Sequence, residues 1–112
     1  MTLGDIYIMD FGVPFGSEPG YRRPVIVAQA DKENLNNLNT TLVIPLTSNL
    51  TNADYPGNVF ISKKNSKLSK DSVALIHQMI VVDKGRLFEK LSRVDTSVLS
   101  AIMSAEDYVL KQ

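Results

Sequence analysis

The chain has 112 residues, 44% hydrophobic and 21% charged, with twelve Lys and Arg balanced by twelve Asp and Glu. This length supports one domain, taken as residues 1–112, with a single core. The absence of cysteine excludes disulfides and thiolate metal sites, and a lone histidine, His77, all but excludes a zinc centre. No apolar run reaches membrane-spanning length. The opening Met1-Thr2-Leu3-Gly4-Asp5 lacks the features of a secretory signal, so a cytoplasmic protein without a membrane segment is expected. Zero net charge argues against strong nonspecific nucleic-acid binding. Lys63, Lys64, Lys67 and Lys70 nevertheless cluster, and read as a solvated hairpin loop.

In chain order, Asp5 to Phe11 is rich in β-formers and predicts a first strand. Gly12 to Tyr21 is a glycine- and proline-rich loop. Arg23 to Gln29 predicts a second strand, with Val25-Ile26-Val27 buried on both faces. Asp31 to Asn39 is a polar connector. Thr40 to Thr47 predicts a third strand, in which Pro45, lacking an N–H, marks a bulge, an edge or a strand end. Gly57 to Ile61 is a fourth. Ser72–Ile76 and Met79–Val82 are two more, with His77-Gln78 between them or inside one bent strand. Asp83 to Arg86 is a turn, and Leu87 to Leu91 a last strand. The period then changes. Asp95-Thr96-Ser97 offers a helix N-cap, and Val98, Leu99, Ile102, Met103, Ala105, Val109 and Leu110 recur at helical spacing. The expected class is α+β, mainly β: a small, bent antiparallel sheet or barrel with a C-terminal helix.

Polar groups gather beside strand ends at three places: Ser17, Glu18, Arg22 and Arg23; Thr47-Ser48-Asn49; and His77-Gln78. The residue before a proline is biased to extended backbone, which sets Arg23 at the mouth of its strand. Arg23 carries a permanent charge and a planar fork suited to phosphate. Glu18 and His77 are the candidate proton acceptors. A cation, a hydroxyl and a base suit RNA cleavage, in which the substrate's own 2′-hydroxyl is the nucleophile. Phe15 and Tyr21 are candidate base-stacking residues. The structural alternatives stand beside these roles: an Arg23–Glu18 salt bridge, a strand-capping Thr47 and a core histidine.

Three ordered blocks resemble the MazF/PemK (Kid) toxins. The first is Gly4-Asp5-Ile6-Tyr7 followed by Gly16-Ser17-Glu18-Pro19-Gly20-Tyr21-Arg22-Arg23-Pro24-Val25-Ile26-Val27. The second is Val43-Ile44-Pro45-Leu46-Thr47-Ser48. The third is Asp71-Ser72-Val73-Ala74-Leu75-Ile76-His77-Gln78 with Val82-Asp83-Lys84-Gly85-Arg86-Leu87. The resemblance implies an SH3-like barrel of the CcdB/MazF type and a homodimer. It also implies a metal-independent, cofactor-free endoribonuclease acting on single-stranded mRNA, which leaves 2′,3′-cyclic phosphate and 5′-hydroxyl ends. A MazE-like antitoxin would be its partner. By the same resemblance Arg23 serves proton transfer and phosphate stabilisation, and Thr47, with Ser48 beside it, steadies the scissile phosphate. Ser17 and Glu18 lie near substrate, and Gln78 contacts RNA. Two departures stand out. His77 occupies a place that is usually acidic, and Ile80-Val81-Val82-Asp83 lacks the arginine usual there. The alternatives are a gyrase-type, protein-binding toxin of the same fold and a member that binds only RNA or antitoxin.

Overall fold

The structure is a computed structural model and describes residues 1–12, 22–29, 31 and 38–111. Seven strands are present among the described residues: β1 (Asp5–Asp10), β2 (Arg22–Val27), β3 (Thr40–Thr47), β4 (Val59–Ile61), β5 (Ser72–Ala74), β6 (Ile80–Asp83) and β7 (Leu87–Arg93). Every pairing is antiparallel, and the sheet runs β4-β5-β3-β2-β1-β7 with β6 added to β3. The mainly-β class with one terminal helix therefore holds. The expected barrel does not close, because β4 and β7 remain as free ends of the strand path.

Side chains alternate across a strand, and the alternation separates two cores. Ile6, Ile26, Ile44, Leu46, Ile61 and Ala74 form one face. It is covered by α2 (Thr96–Leu110) through Val98 and Ile102. Met9, Val25, Val43 and Val82 form the other. The helical periodicity is right for Val98 and Ile102, whereas Met103 and Leu110 lie outside the packed stripe and are exposed. Asp95 occupies the N-cap of α2 in extended backbone, yet its side chain makes no cap hydrogen bond. Its carboxylate instead meets Lys67 Nζ at 3.5 Å.

The lysine cluster lies in the connection of the β4–β5 hairpin and is exposed, as expected, and part of that connection is helical. Lys63–Ser66 form a single-turn helix, α1, capped by Ser62, whose Oγ accepts from Asn65 N–H at 3.3 Å. Lys67 ends it in the left-handed region (φ 62°). α1 ties the two free sides of the sheet together. Ser92 Oγ donates to Ser66 O at 2.6 Å, Lys67 Nζ to Arg93 O at 3.4 Å, and Asp95 N–H to Asn65 O at 3.2 Å.

One edge of β3 is shared by two strands. Thr40–Val43 pair with β6, and Leu46–Thr47 pair with β5. The change of partner falls at Ile44-Pro45, where the prolyl nitrogen has no proton to leave unpaired. The Pro45 carbonyl is used, accepting from Leu75 N–H at 2.9 Å. His77-Gln78 therefore lie neither in a strand nor in a bent continuation of one. They belong to a 3₁₀ turn, Ile76–Gln78, that bridges β5 and β6.

Candidate active site

β2 and β3 set the first part of the site. Their register pairs Val25 with Pro45 and Ile26 with Ile44. Carried two residues further along these strands, it brings Arg23 level with Thr47. Both then fall on the Met9–Val25–Val43 face, and Met9 is the direct partner of Arg23 across β1. Thr47 is buried, with its Oγ1 accepting from Asn49 N–H at 3.2 Å. That bond directs the hydroxyl proton elsewhere, leaving it as a donor at the strand end. Ser48, next in sequence, is exposed.

The 3₁₀ turn supplies the second part. His77 and Gln78 line an indentation of about 410 Å³ whose floor includes Met9 and Pro45, with Arg86 at its rim. The same two residues border a second indentation of about 310 Å³, with Tyr55, Asn52 and Asn58. His77 is exposed rather than a core histidine. Its Nε2 lies 2.9 Å from Pro56 O. A carbonyl only accepts, so the neutral ring carries its proton on Nε2 and leaves Nδ1 as the basic atom. Tyr55 meets the ring edge-on, 5.9 Å between centroids and 83° between planes. This seat requires Gly57, whose φ is +90°. A Cβ there would lie 3.0 Å from His77 Nε2 and 2.8 Å from Val109 Cγ2. Gln78 Oε1 is buried and has no hydrogen-bond partner among the described residues.

On the opposite side of the β2–β3 ends is a cleft of about 440 Å³. Arg22, Arg23, Ser48 and Lys70 border it, and Leu46 and Leu91 give it an apolar wall. Its lining comes from β2, β3, β5 and β7 and from residues 68–70 of the β4–β5 connection.

The β2–β3 register, recorded as far as Val25 and Pro45, thus runs toward Arg23 on one strand and Thr47 on the other, with Ser48 next in sequence. His77 and Gln78 share one turn, across Met9 and Pro45 from that end. Phe15, Ser17 and Glu18 lie outside the described residues, as does Tyr21. Sequence reasoning missed Tyr55 and the Asn52/Asn58 pair, which sit in and just after a 3₁₀ turn (Leu50–Asp54) of a loop that carries no motif. An aromatic residue within a run of asparagines and ahead of Pro-Gly was the available signal. No group of three or more His, Cys, Asp or Glu side chains that could hold a metal occurs among the described residues.

An antiparallel sheet of seven strands with one C-terminal helix is a fold shared with solved MazF toxins. The structure aligns with MazF of Deinococcus radiodurans at a TM-score of 0.80, with 23% identity, over 100% of this chain and 97% of that one. It also aligns with that toxin in its MazE–MazF complex at a TM-score of 0.77, with 23% identity, over 100% and 96% of the two chains. Residues 2–109 match the family described as the PemK-like, MazF-like toxin of type II toxin–antitoxin systems, and the chain belongs to that family. Among named relatives, the endoribonuclease MazF2 of Mycobacterium bovis is 36% identical over 102 residues, covering 91% of this chain and 90% of its own. The endoribonuclease MazF of Staphylococcus saprophyticus is 37% identical over 110 residues, covering 98% and 91%.

Proposed function

We propose that this chain is an endoribonuclease toxin that cuts single-stranded RNA without a metal and is held in check by a MazE-like antitoxin. The observation that carries the reading is the β2–β3 register, which continued two residues sets Arg23 level with Thr47 at one strand end. Family membership supports the same reading, since the relatives described above are named endoribonucleases and solved neighbours include a toxin in complex with its antitoxin. We place its work in the cytoplasm, where mRNA is found. No helix among the described residues is long and apolar enough to cross a membrane.

In this mechanism the ribose 2′-oxygen attacks the adjacent phosphorus and the bond from phosphorus to the 5′-oxygen breaks. The products are a 2′,3′-cyclic phosphate and a 5′-hydroxyl. The guanidinium of Arg23 and the hydroxyl of Thr47 face the charge that builds on the non-bridging oxygens. Nδ1 of His77 is a base for the 2′-hydroxyl proton, a role open equally to Glu18. The orphaned Gln78 Oε1 is an acceptor ready for a base N–H, and Ser17, Phe15 and Ser48 extend the RNA surface. A homodimer is the working assembly.

The test is direct. Pure protein, EDTA and a mixed-sequence single-stranded RNA are incubated and the ends mapped. Cyclic-phosphate and 5′-hydroxyl ends at preferred sequences are expected, whereas intact RNA or 3′-hydroxyl ends refute the reading. His77→Ala is expected to lower the rate and flatten the acid limb of the pH–rate profile. An unchanged profile assigns the base role to another group.

A further inference from the structure

The cleft on the far side of the β2–β3 strand ends borders the site just described, sharing Arg23 with it and reaching Ser48, one residue past Thr47. We infer that this cleft receives the RNA segment that flanks the scissile phosphate, with Lys70 and Arg22 on its phosphates and Ser69 and Ser48 on a base edge. The inference rests on the endoribonuclease reading and adds a second, specificity-setting surface to it.

Four observations support this occupant. The volume, about 440 Å³, lies in the range of roughly 300–1,000 Å³ typical of small-ligand sites, enough for a nucleotide. The apolar wall of Leu46, Leu68 and Leu91 is suited to a base face, and the serines at the rim to its edge. Arg22 Cζ lies 5.2 Å from the centroid of the Phe88 ring, a cation–π contact that steadies this cation at the cleft. Ser48, Ser69 and Lys70 make no side-chain hydrogen bond or ion pair among the described residues, while the cations beyond the cleft are engaged. Lys67 meets Asp95, and Lys90 and Arg93 meet Asp5. Asp71, the acid beside Lys70, turns its carboxylate to the Lys63 N–H at 2.8 Å. Among the described residues the cleft is thus lined by cations and no acid, in a chain of zero net charge, which favours a polyanion crossing the rim from Thr47.

The experiment uses 2′-O-methyl oligoribonucleotides of degenerate sequence containing 4-thiouridine, which bind without being cut. Irradiation of the full chain is expected to crosslink residues 68–72. Lys70→Ala is expected to raise Kd roughly fivefold and to reduce the slope of log K against log salt by about 0.7, the value for one lost phosphate contact on a single strand. The charge-matched control Lys111→Ala, far along α2, leaves both unchanged. Ser69→Ala changes base preference at a flanking position while binding persists. Crosslinks confined to residues 75–80, with Lys70→Ala matching the wild type, overturn the cleft assignment and leave the nuclease reading intact. Protection of the cleft by an acidic peptide but not by RNA overturns it in the same way. Absence of any RNA binding overturns both.

Discussion

Asp5 and Gln78 are both polar groups withdrawn from water, and they are treated in opposite ways. The Asp5 carboxylate accepts from Thr2 N–H at 2.9 Å and Thr2 Oγ1 at 3.0 Å, and meets Lys90 at 3.4 Å and Arg93 at 3.3 Å. Gln78 Oε1 meets nothing among the described residues. A buried acceptor left unpaired costs about 1–3 kcal/mol, so such a group persists where a ligand supplies the donor. The first region secures the fold. The second leaves a buried acceptor open, as the RNA contact proposed for Gln78 requires.

The largest effect is expected at the strand end. Arg23→Ala should reduce RNA cleavage by on the order of 10²–10³-fold, while urea unfolding shifts by less than about 1 kcal/mol because the residue sits at the surface. Equal activity of the two proteins would remove Arg23 from the mechanism. Asp5→Asn comes next, expected to lose about 1–3 kcal/mol of stability at pH 7 by stripping a buried charge from two cations. The pH dependence sharpens the contrast. Burial pushes the Asp5 carboxyl up, but the Thr2 hydrogen bonds and the Lys90 charge outweigh it and hold the group below its ordinary 3.8. A depressed acid stabilises the fold above its unfolded value and loses that contribution as pH falls through the folded one. Wild-type stability should therefore drop below about pH 4, and Asp5→Asn should remove that part of the slope in acid-unfolding curves.

Gln78→Leu inverts the pattern. Removing the orphan acceptor should leave stability unchanged or raise it by up to about 1 kcal/mol, and weaken RNA binding about tenfold, as read by oligonucleotide titration. A loss of stability with RNA affinity intact would show the amide to be structural. A purely structural effect is expected for Gly57→Ala. It forces a side chain into positive φ against His77 and Val109, at about 1–2 kcal/mol, measured as a lowered urea midpoint.

The strands and the terminal helix were legible because their signals are local: β-branched runs, turn residues and a change of period. The Arg23–Thr47 alignment was legible only as ordered motifs, since which strands pair is not written in either segment. Asp5 read as part of a motif, and its role as a charge node was hidden because Arg93 lies 88 residues away. The lysine cluster read correctly as a hairpin connection, while the single helical turn inside it was missed although Ser62 was an available cap. The open cleft was illegible for the same reason as the unclosed barrel: closure depends on strand lengths and tilt, which periodicity does not report.

The handover at Pro45 has an engineering consequence. β5 and β6 are registered on the same strand, Ala74 against Leu46 and Ile80 against Val43, so residues 75–79 act as a ruler between two fixed marks. One residue inserted there would rotate β6 by a full face, turning Val82 outward and Val81 in. A change of length in this stretch thus puts the β6 register at risk wherever the turn does not absorb it, and a library that varies residues 75–79 keeps that register by substitution.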